Sequence, residues 1–579
     1  MTVTLRESSR STVSIALTGS GGSGVMTAGN MLLEAAAIAG CYGLMGRSSG
    51  PQIRGGEAAA LLRIGQTPVD GQDDQFQILL AVDWVNIERF ADEIPLAASS
   101  LLVGDPAQGD PPAETIKAGP RRVDLPMKEL SKQIPGGRPN MIAVGYVAAL
   151  VGLPMDAVVE SMRRTLGENT GAITPSLAAI EAGFAAGASV DCPYRLTLDA
   201  SHHEARWLLT GNEAVGYGAI KGGIRFVAAY PITPATEVLE WMSAGLTDVG
   251  GVLVQAEDEL ASINMAIGAS YGGTPSLTAT SGPGLSLMIE SFGLAVASET
   301  PIVVIDVMRV GPSTGIATKS EQSDLNIALY GMHGDAPHIV VAPNSVSDCL
   351  TTAQWAVHLA EQTQSPVILL SDQAMGQTRT VIDQVVFPEL AGKREIAVAD
   401  GTPYKRYKLT ESGVSPMSIP GTLGLSYTAD GLEHNERGTP SSQASDHQAQ
   451  LDKRLRKITS IDYGAYWADI EGDGEVAVIA WGSCTGPARE AVQRAHAEGV
   501  AAKLISMRLL SPVRPEQMAK ALAGVKRLVV VEQTHSGQFF RHLRSEYNLP
   551  AEVKSLHRAG PLAIRPQEIH RHLVDWSNS

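Results

Sequence analysis

Two short motifs in the middle of the chain carry side chains suited to chemistry. Residues 230–234 read Tyr-Pro-Ile-Thr-Pro, and the acidic cluster Glu257, Asp258 and Glu259 follows some twenty-five residues later, where a small-residue helical pattern begins. The prolines fix the backbone on either side of Thr233, so its hydroxyl is held in a rigid turn. A carboxylate at a helix start can cap the helix, whose dipole it complements, or act on a ligand. The spacing indicates a ligand-facing turn beside an acidic group, with a structural turn and simple capping as the alternatives.

A third candidate follows the next apolar segment. Arg309 comes directly after the aliphatic strand pattern of residues 301–307, at what we expect to be the carboxyl end of a strand. An arginine in that position offers a two-pronged grip on a carboxylate. The loop that follows adds further polar side chains, namely Ser313, Thr314, Thr318 and Lys319.

A glycine-rich run near the N-terminus lies between a strand pattern at residues 13–17 and a helical pattern through residues 31–33. Residues 19–24 match the dinucleotide-binding fingerprint in form, and amides at such a helix start can hold phosphate. The ribose-binding acid of that fingerprint is missing about twenty residues later. Phosphate or coenzyme A contact, NAD binding and a simple tight turn all remain open for this run. The candidate cofactor-binding residues in it are Gly21, Gly22 and Gly24.

Two arginines occur in residues 47–57, which we expect to form a glycine-rich loop. Flexible backbone and a bidentate guanidinium suit the recognition of phosphate or carboxylate. Arg47 and Arg54 are therefore candidates for anion binding, with a solvated loop as the alternative.

The elements that must position these residues form an α/β chain of three doubly wound units. Strand and helix patterns alternate at residues 205–375 and again from residue 476 onward, where we expect a parallel sheet. Between them periodicity fails and Gly, Pro, Ser, His and charged residues dominate, which predicts a long irregular connection. We expect four segments, with bounds at 1–195, 205–375, 376–465 and 466–579, and a polar link at residues 199–205.

Composition excludes several classes of function. The formal net charge of −16 argues against a chain-wide surface for nucleic acid or anionic membranes. The chain has neither a signal-like apolar segment nor a run of eighteen apolar residues, so we expect a cytoplasmic protein. The four cysteines and the histidines lack metal-ligand spacing, and the Gly-Asp-Gly triplet at residues 472–474 predicts a turn. We therefore predict no metal site in this chain.

Five segments between residues 211 and 322 carry a family resemblance. In chain order they read GNEAVGYGAIKGG, AAYPITPATE, QAEDELASINMAIGAS, TATSGPG and MRVGPSTGIATKSEQ. They resemble the large subunits of 2-oxoacid:ferredoxin oxidoreductases, most of all the 2-oxoglutarate type. The resemblance extends over nearly the whole chain. It implies a γ-like domain, a thiamine diphosphate pyrimidine-binding domain and a domain like the C-terminal one of transketolase.

The resemblance also implies roles for the candidate residues. Glu259, with Glu257 as the alternative, is expected to face the aminopyrimidine of thiamine diphosphate, whose imino tautomer removes the proton from the thiazolium carbon. The turn of Tyr230, Pro231, Ile232 and Thr233 is expected to face the thiamine and the substrate. Arg309 and Thr233 would hold the 2-oxoacid, helped by Thr318, and Lys319 would meet the second carboxylate of 2-oxoglutarate. The γ-like domain, with Arg47 and Arg54, would contribute to coenzyme A binding.

The implied enzyme depends on a partner. A smaller β subunit would supply Mg²⁺, the diphosphate contacts and a [4Fe-4S] cluster, with ferredoxin as electron acceptor and an (αβ)₂ assembly. The expected reaction converts 2-oxoglutarate and coenzyme A to succinyl-CoA and CO2, and the reverse reaction would fix CO2. Two alternatives remain open, namely the same chemistry on pyruvate or another 2-oxoacid, and a non-catalytic nucleotide-binding or assembly subunit.

Overall fold

The computed structural model describes residues 12–50, 56–167, 170–198, 205–390 and 392–577. It divides into two compact units. Unit 1 contains Met1–Thr210 and Gln377–Gln384, and unit 2 contains Gly211–Gly376 and Val385–Ser579. No helix among the described residues is long and apolar enough to cross a membrane.

The first part of the chain alternates apolar strands with helices. Its strands are β1 Thr12–Gly19, β2 Tyr42–Ser49, β3 Ala58–Gly65, β4 Ile78–Ala81, β5 Leu101–Gly104 and β6 Arg121–Asp124. Its helices are α1 Val25–Ile38, α2 Ala113–Ile116, α3 Met127–Lys132, α4 Pro139–Val151, α5 Met155–Leu166 and α6 Thr170–Ala188.

The middle part has the same alternation. Its strands are β7 Arg206–Thr210, β8 Phe226–Ala229, β9 Val252–Gln255, β10 Ser276–Thr280, β11 Val303–Met308, β12 Ile339–Val341, β13 Val367–Asp372 and β14 Arg379–Asp383. Its helices are α7 Gly211–Gly222, α8 Thr236–Asp248, α9 Glu259–Tyr271, α10 Gly282–Ala297, α11 Leu325–Tyr330, α12 Val346–Thr363 and α13 Gln373–Gln377.

The last part begins with helix α14 Ala444–Thr459. Its strands are β15 Ala468–Gly472, β16 Val476–Trp481, β17 Ala502–Met507, β18 Leu509–Ser511, β19 Arg527–Glu532 and β20 Glu552–His557. Its other helices are α15 Thr485–Ala497, α16 Pro515–Ala521, α17 Gln538–Glu546 and α18 Pro566–Ser577.

Unit 1 is built on a mixed sheet with the strand order β6-β5-β4-β1-β3-β2-β14-β7. Strands β1, β4, β5 and β6 run parallel, whereas β3 is antiparallel to both β1 and β2. Helix α4 is buried along nearly its whole length and packs closely on α6. A Cβ on Gly145 would lie 1.9 Å from the carbonyl oxygen of Ile180, so the two helices can approach this closely only because position 145 is glycine.

Unit 2 contains two sheets. The first has the order β18-β12-β13-β11-β10-β8-β9, with all neighbours parallel except β12 and β18. The chain runs from β8 to β9 on one side and then to β10 on the other, so a topological switch point lies between β8 and β10. Ligands of doubly wound sheets bind at the carboxyl ends of the strands at such a point. The second sheet has the order β15-β17-β16-β19-β20, parallel except for the edge strand β15.

The α/β class and the alternation predicted from sequence are confirmed. The expected loop at residues 47–57 is wrong at its start, because Arg47 lies in β2 and pairs with Ala60 of β3. The last sheet is also not wholly parallel, since β15 pairs antiparallel with β17. Gly472 is the last residue of β15, and Asp473 and Gly474 lie in the short connection from β15 to β16. The predicted link at residues 199–205 lies outside the described residues apart from Ala205.

The connection predicted to be irregular contains two regular elements. Strand β14 pairs with β2 and β7, and so completes the sheet of unit 1. The second element, helix α14, buries Gln450, Lys453, Arg454, Lys457 and Ile458. Only Ile458 among these is apolar, so the apolar periodicity that predicts a helix is missing. Most of the remaining described residues between β14 and α14 have no regular secondary structure, as expected.

Candidate active site

The central candidate residues of unit 2 lie at one edge of its first sheet. Strands β8, β9, β10 and β11 are parallel neighbours, so their carboxyl ends meet at the same edge. The turn at residues 230–234 follows β8, the acidic cluster follows β9, residues 281–284 follow β10 and Arg309 follows β11. Sequence segments up to some eighty residues apart are thus brought together at the switch point.

The turn after β8 is fixed by the backbone and by a buried asparagine. The Ile232 carbonyl accepts a 3.0 Å hydrogen bond from the amide of Thr236 at the start of α8. The Asn212 side chain, which is fully buried, donates to the Pro234 carbonyl at 3.0 Å. Tyr230 is 41% exposed at the front of the turn. Asn212 was not singled out from the sequence, although a polar residue in the small-residue segment of α7 was the available signal.

Arg309 and Thr233 are in direct contact. The Nη1 atom of Arg309 donates a 2.7 Å hydrogen bond to the backbone carbonyl of Thr233. The Thr233 hydroxyl has no hydrogen-bond partner among the residues described. Arg309 is only 7% exposed, and burial lowers the pKa of its guanidinium, while Asp324 nearby acts in the opposite direction. The two residues predicted to hold a substrate together are therefore adjacent.

The three acids after β9 occupy different environments. Glu257 and Asp258 are exposed, and the Asp258 carboxylate caps α9 by accepting a 2.7 Å hydrogen bond from the Ala261 amide. Glu259 is the first residue of α9 and is only 7% exposed. Capping is thus performed by Asp258, which leaves Glu259 as the buried carboxylate of the cluster.

Glu259 packs against the start of α10. A Cβ on Gly284 would lie 2.7 Å from Glu259 Cγ, 2.8 Å from its Oε1 and 2.0 Å from the Thr280 hydroxyl. Across the described part of the chain, the Glu259 carboxylate has no hydrogen-bond or ion-pair partner. Glu259 is 7% exposed and its carboxylate is engaged by no described protein group, so it is available to a ligand at this edge of the sheet.

A cleft of about 930 Å³ opens beside Arg309. Its lining mixes apolar and polar groups from helices and loops of unit 2, among them Leu287, Ser313, Asp324, Ile327, His535 and Gln538. The neighbouring segment at residues 320–324 is held by Gln322, which is fully buried. Gln322 exchanges two hydrogen bonds with the backbone of Gln533, each 2.9 Å long, and donates a third to the Trp481 carbonyl at 3.0 Å.

The loop after Arg309 folds back on itself. The Val310 amide donates to the Lys319 carbonyl at 2.9 Å, and the Ile316 amide donates to the Val310 carbonyl at 3.1 Å. This pairing brings the backbone of Lys319 beside Arg309. Neither Thr318 nor Lys319 is among the described residues that line the cleft. The proposed contact of Lys319 with a second carboxylate remains a prediction.

The glycine run of unit 1 forms the predicted turn between β1 and α1. Gly22 and Gly24 have φ of 88° and 82°, a conformation that favours glycine, and a Cβ on Gly24 would lie 2.3 Å from Asn140 Nδ2. The Asp83 carboxylate accepts hydrogen bonds from the Ser20 amide at 3.0 Å and from its hydroxyl at 2.7 Å. The positive φ values are thus a structural reason for glycine at positions 22 and 24. Asp83 places negative charge beside the loop. Gly21 and Gly22 are exposed.

The two candidate arginines of unit 1 are Arg47 and Arg54. Arg47 is exposed on β2, and its Nε donates a 3.1 Å hydrogen bond to the Gln377 side chain. Arg54 lies outside the described residues. Anion binding by either residue remains a prediction.

No metal-binding cluster is found in the described ranges. Groups of three or more His, Cys, Asp or Glu side chains that could hold an ion are absent from them. Cys41, Cys192, Cys349 and Cys484 are all buried and unpaired. Burial raises the pKa of the Cys41 thiol to about 11, and it also raises the pKa values of the other three.

Comparison with known protein families matches three segments of the chain. Residues 14–186 match the family described as pyruvate ferredoxin/flavodoxin oxidoreductase. Residues 217–453 match the thiamine diphosphate-binding family of pyruvate flavodoxin/ferredoxin oxidoreductases. Residues 466–557 match the transketolase C-terminal domain.

Curated relatives and a solved structure agree with these matches. The chain is 34% identical to the 2-oxoacid:ferredoxin oxidoreductase subunit alpha of Saccharolobus solfataricus over 69% of this chain and 65% of that one. It is 36% identical to the 2-oxoglutarate synthase subunit KorA of Methanothermobacter marburgensis over 63% of this chain and 97% of that one. The solved structure is the 2-oxoglutarate:ferredoxin oxidoreductase from Magnetococcus marinus with 2-oxoglutarate, coenzyme A and succinyl-CoA bound. Its TM-score is 0.90 at 34% identity, covering 98% of this chain and 99% of that one.

Proposed function

The chain belongs to the alpha subunits of the 2-oxoacid:ferredoxin oxidoreductases, and we propose that it catalyses the thiamine diphosphate-dependent oxidative decarboxylation of 2-oxoglutarate. The proposed products are succinyl-CoA and CO2, and the two electrons released go to ferredoxin. The same site is proposed to run in reverse when reduced ferredoxin is in excess. Support comes from the relatives named for 2-oxoglutarate and from the arrangement of Glu259, Thr233 and Arg309.

The residues at the edge of the sheet fit the pyrimidine half of thiamine diphosphate. Glu259 is a buried carboxylate without a partner in the part of the chain that the structure describes. The surface of α10 facing it is Gly284, where any Cβ would fill the space beside Oε1. When bound, thiamine diphosphate supplies the electron sink for cleavage of the bond to the 2-oxoacid carboxylate. The observation that carries the proposal is this unpartnered Glu259 at the sheet edge where Arg309 meets Thr233.

Each residue has a proposed task that its position supports. Glu259 would donate a proton to the ring nitrogen of the aminopyrimidine and take it back, which favours the imino tautomer, inside a site bounded by α10. Arg309 grips the carboxylate next to the 2-oxo group with its remaining guanidinium donors, while Nη1 stays on the Thr233 carbonyl. The free Thr233 hydroxyl is available to the 2-oxo oxygen. The turn from Tyr230 to Pro234 is fixed by Asn212, which keeps these groups in place.

Several components are proposed to come from other chains. Magnesium, the diphosphate contacts and a [4Fe-4S] cluster are assigned to a β subunit in an (αβ)₂ assembly. Coenzyme A is proposed to enter as co-substrate, with the glycine run Gly21, Gly22 and Gly24 and the arginines Arg47 and Arg54 as candidate contacts in unit 1. Lys319 is proposed to face the distal carboxylate of 2-oxoglutarate, with Thr318 close to the bound 2-oxoacid.

The test is an activity measurement on the complex. The chain is co-expressed with candidate iron–sulfur β subunits, and coenzyme A-dependent reduction of ferredoxin or viologen is measured with 2-oxoglutarate and with pyruvate. We expect turnover of 2-oxoglutarate to exceed that of pyruvate. Turnover of pyruvate alone would keep the chemistry and contradict the substrate, and a complex that binds no thiamine diphosphate would contradict both.

A further inference from the structure

A buried carboxyl pair lies next to the proposed anion-binding arginine. Asp306 belongs to β11, where it pairs with Thr280 of β10 and Leu370 of β13, and it is fully buried. Asp324 precedes α11, and its carboxyl group is close enough to Asp306 for each to change the pKa of the other. Two acidic side chains eighteen residues apart thus meet inside unit 2.

Three of the four oxygens of the carboxyl pair have no donor within the described residues. Both oxygens of Asp306 and the Oδ2 of Asp324 are buried without a hydrogen-bond partner among the residues that the structure describes. Two ionised carboxylates in this position would repel each other in a medium of low dielectric constant. A proton on Asp306 supplies the missing donor and removes that repulsion, and a second proton on Asp324 leaves the pair neutral.

The surroundings of Asp324 make this proton relevant to the site. Asp324 lines the same cleft as Arg309, and the two interact electrostatically. Asp324 also lies against the first residue of α10, since a Cβ on Gly282 would be 2.6 Å from its Oδ2. If Asp324 is ionised, it becomes a counter-ion for Arg309 and competes with any anionic ligand. If it is protonated, the guanidinium charge remains available.

We propose that Asp306 and Asp324 are positioning residues, and that protonation of both carboxyl groups keeps Arg309 un-neutralised for an anionic ligand. The proposal rests on the proposed function in taking that ligand to be the carboxylate of a 2-oxoacid. Asp306 acts as the donor to Asp324, and Asp324 acts as the group whose ionisation lowers the affinity for the anion.

The charged groups around the pair determine the pH range in which the affinity for an anion changes. Burial raises the pKa of Asp306 well above its ordinary value, and burial followed by the nearby Glu321 raises the pKa of Asp324 to about 7, against the opposing effect of Arg309. His535 lines the same cleft, and the neighbours of Asp306 on β10 and β13 are uncharged. Affinity for an anion should therefore fall as the pH rises through the neutral range.

The first test measures the protonation of Asp324 and requires no turnover. Infrared difference spectra of the complex between pH 6 and pH 8 are compared for the native chain and for Asp324→Asn. We expect a carboxylic acid C=O band that disappears as the pH rises in the native chain and is absent from the difference spectrum of Asp324→Asn. Identical difference spectra for the two proteins would contradict protonation of Asp324.

The second test measures the affinity for 2-oxoglutarate in variants for which we expect different results. The dissociation constant of 2-oxoglutarate is measured by calorimetry between pH 6 and pH 8, where we expect about a tenfold weakening for the native chain. Asp324→Asn should lose this dependence because position 324 is then always neutral. Asp306→Asn should keep it because the amide can donate to Asp324, and Asp306→Ala should shift it to higher pH because no donor remains.

These outcomes separate positioning from a purely structural role. A structural role would weaken binding in Asp324→Asn and Asp306→Asn alike and leave the pH dependence in place, which would contradict the proposal. A complex that shows the acid band but binds neither 2-oxoglutarate nor pyruvate would contradict both the proposed function and Arg309 as the anion receptor. In that case the infrared result would still establish a proton on Asp324.

Discussion

Arg309 is tied to Thr233 by a 2.7 Å hydrogen bond from Nη1 to the backbone carbonyl. The bond joins the end of β11 to the turn after β8, so the orientation of the guanidinium depends on a turn 76 residues away in sequence. This turn is itself fixed by Asn212, whose side chain donates a hydrogen bond to the Pro234 carbonyl. Arg309 is therefore part of a fixed scaffold, and its remaining donors are directed by that scaffold.

Arg309→Lys should weaken substrate binding. An ammonium keeps the charge but cannot hold the Thr233 carbonyl and a carboxylate in the same planar geometry. We expect the KM for the 2-oxoacid to rise about 10- to 100-fold, which corresponds to the loss of one hydrogen bond to a charged group. Steady-state kinetics of the complex measures this change. The exposed Arg541, changed to Lys, is the matched control and should leave the KM within about twofold of the native value.

Gly284→Ala should disrupt the site of Glu259. The new Cβ would lie 2.0 Å from the Thr280 hydroxyl and 2.8 Å from Glu259 Oε1, so the carboxylate must move. We expect kcat to fall by at least about 100-fold, since misplacement of a reacting group by about 1 Å has an effect of that order. The control is Gly268→Ala on α9, whose Cβ would meet no atom within 4 Å. Equal activity of the two variants would show that Gly284 does not shape the site.

Glu299→Gln should destabilise unit 2. Glu299 is fully buried, accepts from Lys453 Nζ at 2.5 and 2.7 Å, and accepts from Lys457 Nζ at 3.2 Å. Removing this anion leaves buried cations without compensation, which typically costs about 3–5 kcal/mol. Scanning calorimetry should show the transition of unit 2 at lower temperature. Glu475→Gln breaks the exposed pair with Lys526 and should change stability by less than about 1 kcal/mol.

The stability of unit 2 should depend on the protonation of Asp324. The raised pKa means that the folded state keeps a proton which the unfolded state releases above about pH 4. Stability contributed by this group is therefore full at low pH and falls as the pH rises toward about 7. Asp324→Asn should flatten that slope, by up to about 1.4 kcal/mol per pH unit, in urea denaturation at several pH values. An unchanged slope would argue against a proton on Asp324 in the folded chain.

The sequence alone was sufficient to predict the strands and helices whose buried residues form an apolar pattern. The patterns at residues 226–229, 276–280 and 476–481 coincide with β8, β10 and β16. Helix α14 could not be predicted in this way, because its buried face carries Lys453 and Lys457 bound to Glu299. Charged residues predict a solvated surface unless their partner, here some 150 residues away, is known.

For the candidate site, sequence alone was enough to choose the segments but not their contacts. The cluster at residues 257–259 could not be divided into a cap and a buried acid until Asp258 was seen to accept from Ala261. Asp306 lies in an aliphatic strand, so the sequence pattern places it in the core. Its contact with Asp324 depends on how β11 and the following loop fold. The direct bond between Arg309 and Thr233 likewise arises from the parallel order of β8, β10 and β11.

The most direct measurement of the central claim concerns the proton on the thiazolium carbon. In the complex with its β subunit, exchange of that proton of bound thiamine diphosphate with deuterium is followed by NMR for Glu259→Gln and for the exposed neighbour Glu257→Gln. We expect exchange at least about 100-fold slower in Glu259→Gln, in line with loss of a general acid–base group, and a native rate in Glu257→Gln. Native exchange in Glu259→Gln, with thiamine diphosphate still bound, would contradict the assignment of Glu259 as the activating carboxylate.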